Sequence, residues 1–144
     1  MESPTTLTKV LIVEDDVLSL LLLGKYLELE GFSVTQAPSH KKALEALSTG
    51  SYHVIIADLK LDGEVRGITL LEYCTQTFPL MRRFAITGLP EENIQKLLIE
   101  HNPNYSSNNK INNSGGSKHY LWEFIFKKPL HLATITHRLL HTVY

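Results

Sequence analysis

Four short apolar runs in this 144-residue chain each end in residues able to handle a phosphate or a metal ion. Val54-Ile55-Ile56-Ala57 leads into Asp58, and Val10-Leu11-Ile12-Val13 into Glu14-Asp15-Asp16. Arg83-Phe84-Ala85-Ile86 leads into Thr87-Gly88, and Phe124-Ile125-Phe126 into Lys127-Lys128-Pro129. If Glu14, Asp15 and Asp58 converge, they repel one another, and a divalent cation removes that penalty. All-oxygen ligation favours Mg2+, with Mn2+ as the alternative, over Zn2+. Asp15 and Asp58 each offer one oxygen, the backbone carbonyl at Lys60 offers a third, and Glu14 holds a coordinated water. A carboxylate also attacks phosphorus to form an acyl phosphate. The transferring group spreads negative charge over three oxygens. The ion meets one, the compact Lys128 ammonium a second, and the Thr87 hydroxyl, with N–H groups near Gly88, a third.

These residues meet only if the runs are neighbouring strands of one sheet. Strand and helix patterns alternate along the chain. Lys9–Val13, Phe32–Ala37, Tyr52–Ala57, Arg82–Ile86 and Tyr120–Phe126 read as strands. Asp16 and Ser39 sit where helix N-caps belong, and Gly31 and Gly50 where helices stop. The first helix, about 17–30, carries core spacing at Leu22, Leu23, Tyr26 and Leu27, with Leu20 and Leu21 on its flank. Asp62-Gly63 and Arg66-Gly67 mark a flexible loop before the third helix. Pro90-Glu91-Glu92 opens the fourth helix, and Leu130–His141 forms the last. Five β-α units with buried strands predict an α/β domain: a doubly wound, flavodoxin-like parallel sheet in the order 2-1-3-4-5. In that order the first and third strands end side by side at the switch point, which places Asp15 near Asp58.

The chain is read as a single domain over residues 1–144, with its core at about 9–143. One segment, about 102–119, breaks the rhythm with six asparagines and Gly115-Gly116. It has too few apolar residues to bury a core and is expected to be a mobile insertion. A formal net charge of −1 gives no broad field for nucleic acid or an anionic membrane. No apolar streak exceeds four residues, Leu20 to Leu23 among them, far too short to cross a bilayer. The lone Cys74 rules out an internal disulfide and suits a reducing cytosol, so a cytoplasmic location is expected.

The four motifs, in this order and each after an apolar strand, resemble the receiver domain of bacterial two-component response regulators. Glu14 and Asp15 match that family's metal-site acids, Asp58 its phospho-acceptor, Thr87 its switch threonine, and Lys128, followed by Pro129, its functional lysine. The resemblance implies that Asp58 accepts a phosphoryl group, with Mg2+, from a histidine on a sensor kinase or phosphotransfer protein. The chain then catalyses its own phosphorylation and dephosphorylation but is no turnover enzyme. It signals through a protein effector, a homodimer or a relay, with no nucleic-acid or membrane partner.

This sequence departs from the family pattern in three places. Asp62 replaces a usual proline and is expected to add acid near the metal site. Ile125 stands where an aromatic ring usually reports the switch, and strand alternation turns Phe124 and Phe126 to the opposite face. The asparagine-rich segment lengthens the interval between Thr87 and Lys128. Lys60 beside Asp58, and Leu89 after Thr87, predict slow self-dephosphorylation. The alternative reading is a receiver-like interaction module that is never phosphorylated. An aspartyl phosphohydrolase is disfavoured because Lys60 occupies the place of the second acid such enzymes use.

Overall fold

The computed structural model describes residues 7–101, 110–111 and 119–141. Elements alternate as β1 (Lys9–Val13), α1 (Val17–Leu29), β2 (Ser33–Ala37), α2 (His40–Thr49), β3 (Val54–Asp58), α3 (Arg66–Thr77), β4 (Arg82–Thr87) and α4 (Glu91–His101). Two short strands follow, β5 (Lys110–Ile111) and β6 (His119–Tyr120), then β7 (Phe124–Lys127) and α5 (Leu132–Leu140). The main sheet runs β2-β1-β3-β4-β7 with every neighbour parallel, while β5 and β6 form a separate antiparallel pair. This is the flavodoxin-like order expected from the sequence, with β7 as its fifth strand.

Alternating strand residues feed two apolar layers, one on each face of the sheet. Leu11, Val13, Ile55, Ala57 and Ala85 pack with α2, α3 and α4 residues such as Leu47, Leu71 and Leu98. Val10, Ile12, Ile56, Phe84 and Ile86 pack with Leu23 and Leu27 of α1 and Ile135 and Leu139 of α5. Such two-sided burial is why the strands read as unbroken apolar runs. Cys74 lies inside the first layer, where burial pushes its thiol up to about 12, and Arg83 only partly counters this. It therefore packs as a small apolar group.

Several expectations need correction. In α1 the buried residues are Leu20, Leu23, Gly24 and Leu27, whereas Leu21 and Leu22 are exposed and Tyr26 is half-buried. Leu20, Leu23 and Leu27 pack in the second apolar layer, and the buried Gly24 beside them faces the end of the flexible Gln36 side chain of β2. The Arg66-Gly67 pair opens α3 instead of lying in a loop. Asp62-Gly63 forms a tight turn in which Leu61 and Glu64 exchange two backbone hydrogen bonds of 2.7 and 2.9 Å.

The fifth strand of the sheet starts at Phe124, not Tyr120, because Tyr120 pairs with Lys110 in β6. Leu121 and Trp122, between the two, are buried in the first apolar layer. The Arg82 guanidinium fixes the approach to β7 by pairing with Glu123 at 2.8 Å. It also donates to the carbonyls of Arg138, Leu139 and His141 at the end of α5. Most of the expected insertion, 102–109 and 112–118, lies outside the described residues.

Candidate functional site

The carboxyl ends of β1, β3, β4 and β7 bring together the residues singled out in the sequence. In-register pairing of β1 with β3 sets Val13 beside Ala57, so the acids that follow these residues share one rim. β4 adds Thr87 and β7 leads into Lys128, whose N–H donates to the Thr87 carbonyl at 2.8 Å. Asp16 stays out of the group. It caps α1, accepting from the Ser19 N–H and hydroxyl, and the Ser19 hydroxyl holds its carboxyl below the usual range.

Asp58 is 4% exposed. Its Oδ2 accepts from the Lys128 ammonium at 2.6 Å and its Oδ1 from the Lys60 N–H at 3.0 Å. Lys128 also donates to Glu14 Oε1 at 3.2 Å. Glu14 is buried, and its Oε1 accepts from the Asp16 N–H at 3.0 Å. Its Oε2 lies 3.0 Å from the Lys128 nitrogen but is not aligned for a hydrogen bond, and it has no other partner among the described residues. Asp15 is exposed and accepts from the Asp62 N–H at 3.0 Å. One oxygen from each of Glu14, Asp15 and Asp58 lies within 4.8 Å of the other two.

Two of these three carboxylates, Glu14 and Asp58, therefore share the Lys128 ammonium. Burial pushes Glu14 up from the usual 4.5 to about 7, and Asp58 beside it adds to the rise. Burial alone would lower Lys128, but its bonds to Asp58 and Glu14 outweigh burial and hold the ammonium above its usual range. The oxygen-only donor set, the buried Glu14 oxygen that accepts no hydrogen bond among the described residues and the excess of negative charge fit a hard divalent cation. The Lys60 carbonyl accepts no hydrogen bond among the described residues and is available as a further oxygen.

The raised Glu14 value carries a consequence for the metal-free protein. Between about pH 4.5 and 7 the folded chain keeps a proton on Glu14 that the unfolded chain releases. Stability therefore falls as pH rises through that window. Urea unfolding in EDTA is expected to show Glu14→Gln gaining on the wild type from pH 5 to pH 8. A constant difference between the two would contradict the assignment.

Thr87 is fully buried at the strand end, and its Oγ1 accepts from the Leu89 N–H at 3.0 Å; no hydrogen bond joins it to Asp58 among the described residues. Its hydroxyl hydrogen remains available to a group placed nearby. Ile125 packs in the first apolar layer, and Phe124 and Phe126 in the second, as strand alternation predicts. Asp62, expected as extra acid, is not among the carboxylates close enough to share one ion. Its Oδ2 accepts instead from the His40 N–H at the start of α2, at 3.3 Å.

Gly67 is a site residue that the sequence reading missed. Its N–H donates to the Leu59 carbonyl at 3.1 Å, and a Cβ there would lie 1.9 Å from the Asp58 carbonyl oxygen. Reading Arg66-Gly67 as a loop hid it; in the first turn of α3 a glycine marks close backbone approach.

Comparison with known proteins bears on this arrangement. Residues 10–103 match the family model described as the response regulator receiver domain. Over 91 residues the chain is 33% identical to a cyclic di-GMP phosphodiesterase of Thermotoga maritima, covering 63% of this chain and 24% of that protein. The chain thus spans about a quarter of that relative. Among solved structures it is similar to the signal receiver domain of an HD domain-containing protein from Pseudomonas fluorescens Pf-5. That match has a TM-score of 0.72 and 18% identity, over 94% of this chain and 93% of the other. It is also similar to a CheY-like receiver domain from Methylobacillus flagellatus, with a TM-score of 0.68 and 24% identity, over 94% and 98% of the two chains. These structural likenesses concern the fold.

Proposed function

Because the chain belongs to the response regulator receiver domain family, we propose that it is a phosphorylatable receiver whose acceptor is Asp58. The observation that carries this reading is the Asp58 carboxylate, buried at the sheet rim between the Lys128 ammonium and the Lys60 N–H, with Glu14 and Asp15 beside it. A carboxylate oxygen of Asp58 attacks the phosphorus of a phosphohistidine on a sensor kinase or phosphotransfer protein. An O–P bond forms as the N–P bond breaks, and the departing imidazole takes up a proton. Lys128 is already within reach of the attacking group and follows the incoming phosphoryl oxygens as their charge grows. Thr87 offers its hydroxyl to another of those oxygens, and the Lys60 N–H keeps the carboxylate oriented. Glu14, Asp15, Asp58 and the Lys60 carbonyl would hold Mg2+ or Mn2+, which when bound neutralises charge on the transferring group.

The outcome of phosphorylation is read by a protein partner or passed along a relay. Self-contained acceptance and release of one phosphoryl group, without turnover of other substrates, fits Lys60 at the second position after Asp58, where aspartyl phosphohydrolases carry their second acid. No helix among the described residues is long and apolar enough to cross a membrane.

The test is incubation of the purified chain with acetyl phosphate, with Mg2+ or with EDTA, followed by intact mass and borohydride trapping of the acyl phosphate. One added phosphoryl group, dependent on the metal and mapped to Asp58, is expected. A chain that stays unlabelled with Mg2+ present would instead support the interaction module that the isoleucine at position 125 suggests.

A further inference from the structure

We propose that Asp62 is a positioning residue for Asp15, and that the turn it opens sets how tightly the carboxylate cluster holds a divalent cation. The inference rests on the metal reading above. Asp62 and Gly63 are the central residues of the Leu61–Glu64 turn, with φ of 55° and 76°. Two successive left-handed residues define a type I′ turn, which matches its Asp-Gly sequence. Aspartate is one of the few side chains that tolerates this conformation. Leu61 is fully buried and anchors the turn to the core.

The turn joins three segments. The Asp62 N–H is the only hydrogen-bond donor to the Asp15 carboxylate among the described residues, at 3.0 Å. The Asp62 carboxylate is tied to the His40 N–H at the first residue of α2. Glu14 and Asp58 are immobilised by burial and by Lys128, but Asp15 is exposed and, among the described residues, pairs with no cation. Its orientation therefore depends on the turn. With Oδ2 held by Asp62, the other oxygen is left for the ion. Asp62 acts through its backbone N–H and its conformation, not through its charge. Outer partners of this kind typically change metal affinity by about 10- to 100-fold.

The test is calorimetric titration of the full, unphosphorylated chain with Mg2+ and with Mn2+. Asp62→Asn keeps both the left-handed tolerance and an acceptor for His40, so affinity close to wild type is expected. Asp62→Ala is expected to weaken binding about 10-fold or more. Gly63→Ala strains the same turn without altering charge and is expected to weaken binding likewise. Thermal unfolding without metal checks that each variant is folded. In the metal-free wild type, the Asp62 amide proton resonance is expected to move upfield on Asp15→Ala, as the hydrogen bond is lost. If Asp62→Asn is as weak as Asp62→Ala, Asp62 acts by charge and the proposal fails. If Asp62→Ala binds like wild type, or the Asp62 amide ignores Asp15→Ala, it also fails. If the wild type binds neither ion, the metal reading falls together with it.

Discussion

Asp58→Asn is expected to take up no phosphoryl group from acetyl phosphate, and at the same time to make the metal-free protein more stable than the wild type. The two effects share a cause. Asp58 lies beside the buried Glu14, and both compete for the one Lys128 ammonium. Asparagine keeps the shape and an acceptor oxygen for Lys128 but removes one charge, so Glu14 ionises more easily. It also removes the proposed nucleophile, since an amide oxygen does not form an acyl phosphate. The gain should be on the order of 1 kcal/mol near neutral pH, the size common where a functional site holds strain against stability. Urea unfolding in EDTA measures it, and added Mg2+ should narrow the difference by stabilising the wild type. An Asp58→Asn variant less stable than wild type in EDTA would mean that the carboxylates are not in conflict.

Gly67→Ala is expected to damage the site without altering any charged or polar side chain in it. The new Cβ would need to occupy space 1.9 Å from the Asp58 carbonyl oxygen and 2.6 Å from the Leu59 Cα. Backbone must move, because no flexible side chain stands there to give way. Overpacking of this kind costs about 1–3 kcal/mol, occasionally more. The displaced backbone carries Asp58 and the Lys60 N–H that orients its carboxylate. A misplacement near 1 Å lowers rates on the order of 100-fold, which a time course of acetyl phosphate labelling would read. Gly88→Ala is the control: its Cβ would be 3.9 Å from the Lys128 side chain, an ordinary contact. Similar losses in the two variants would show that a general sensitivity to added volume, not the Gly67 contact, is responsible.

Positions in the site were legible where the chemistry is attached to strand ends. Glu14, Asp58 and Thr87 are each at or beside the last residue of a strand with a buried, apolar centre, so locating the strand located the residue. Reading failed where the answer depended on rotation or on backbone proximity. The α1 sequence is apolar nearly all the way round, so periodicity alone favoured Leu22 over Leu20 for the core, and packing against the sheet and α5 decided otherwise. The Asp62-Gly63 dipeptide announced a turn, yet gave no hint that its N–H would reach Asp15, 47 positions earlier in the chain. Tyr120 looked like the start of the fifth strand because it is apolar, but its partner is Lys110, not β4.

Local apolar runs, caps and breakers are short-range properties, and they determined the five β-α units, the parallel sheet and the identity of the residues at its rim. Tertiary structure decided what each of those residues does to the others. Only packing sets the shared ammonium of Lys128 between Glu14 and Asp58, the Glu14 oxygen that accepts no hydrogen bond among the described residues, the turn whose N–H reaches Asp15 and the bare Gly67 pressed on the Asp58 backbone. The reason is physical. Periodicity records which side of an element avoids water, whereas charge coupling and close approach depend on distances between segments that are far apart along the chain.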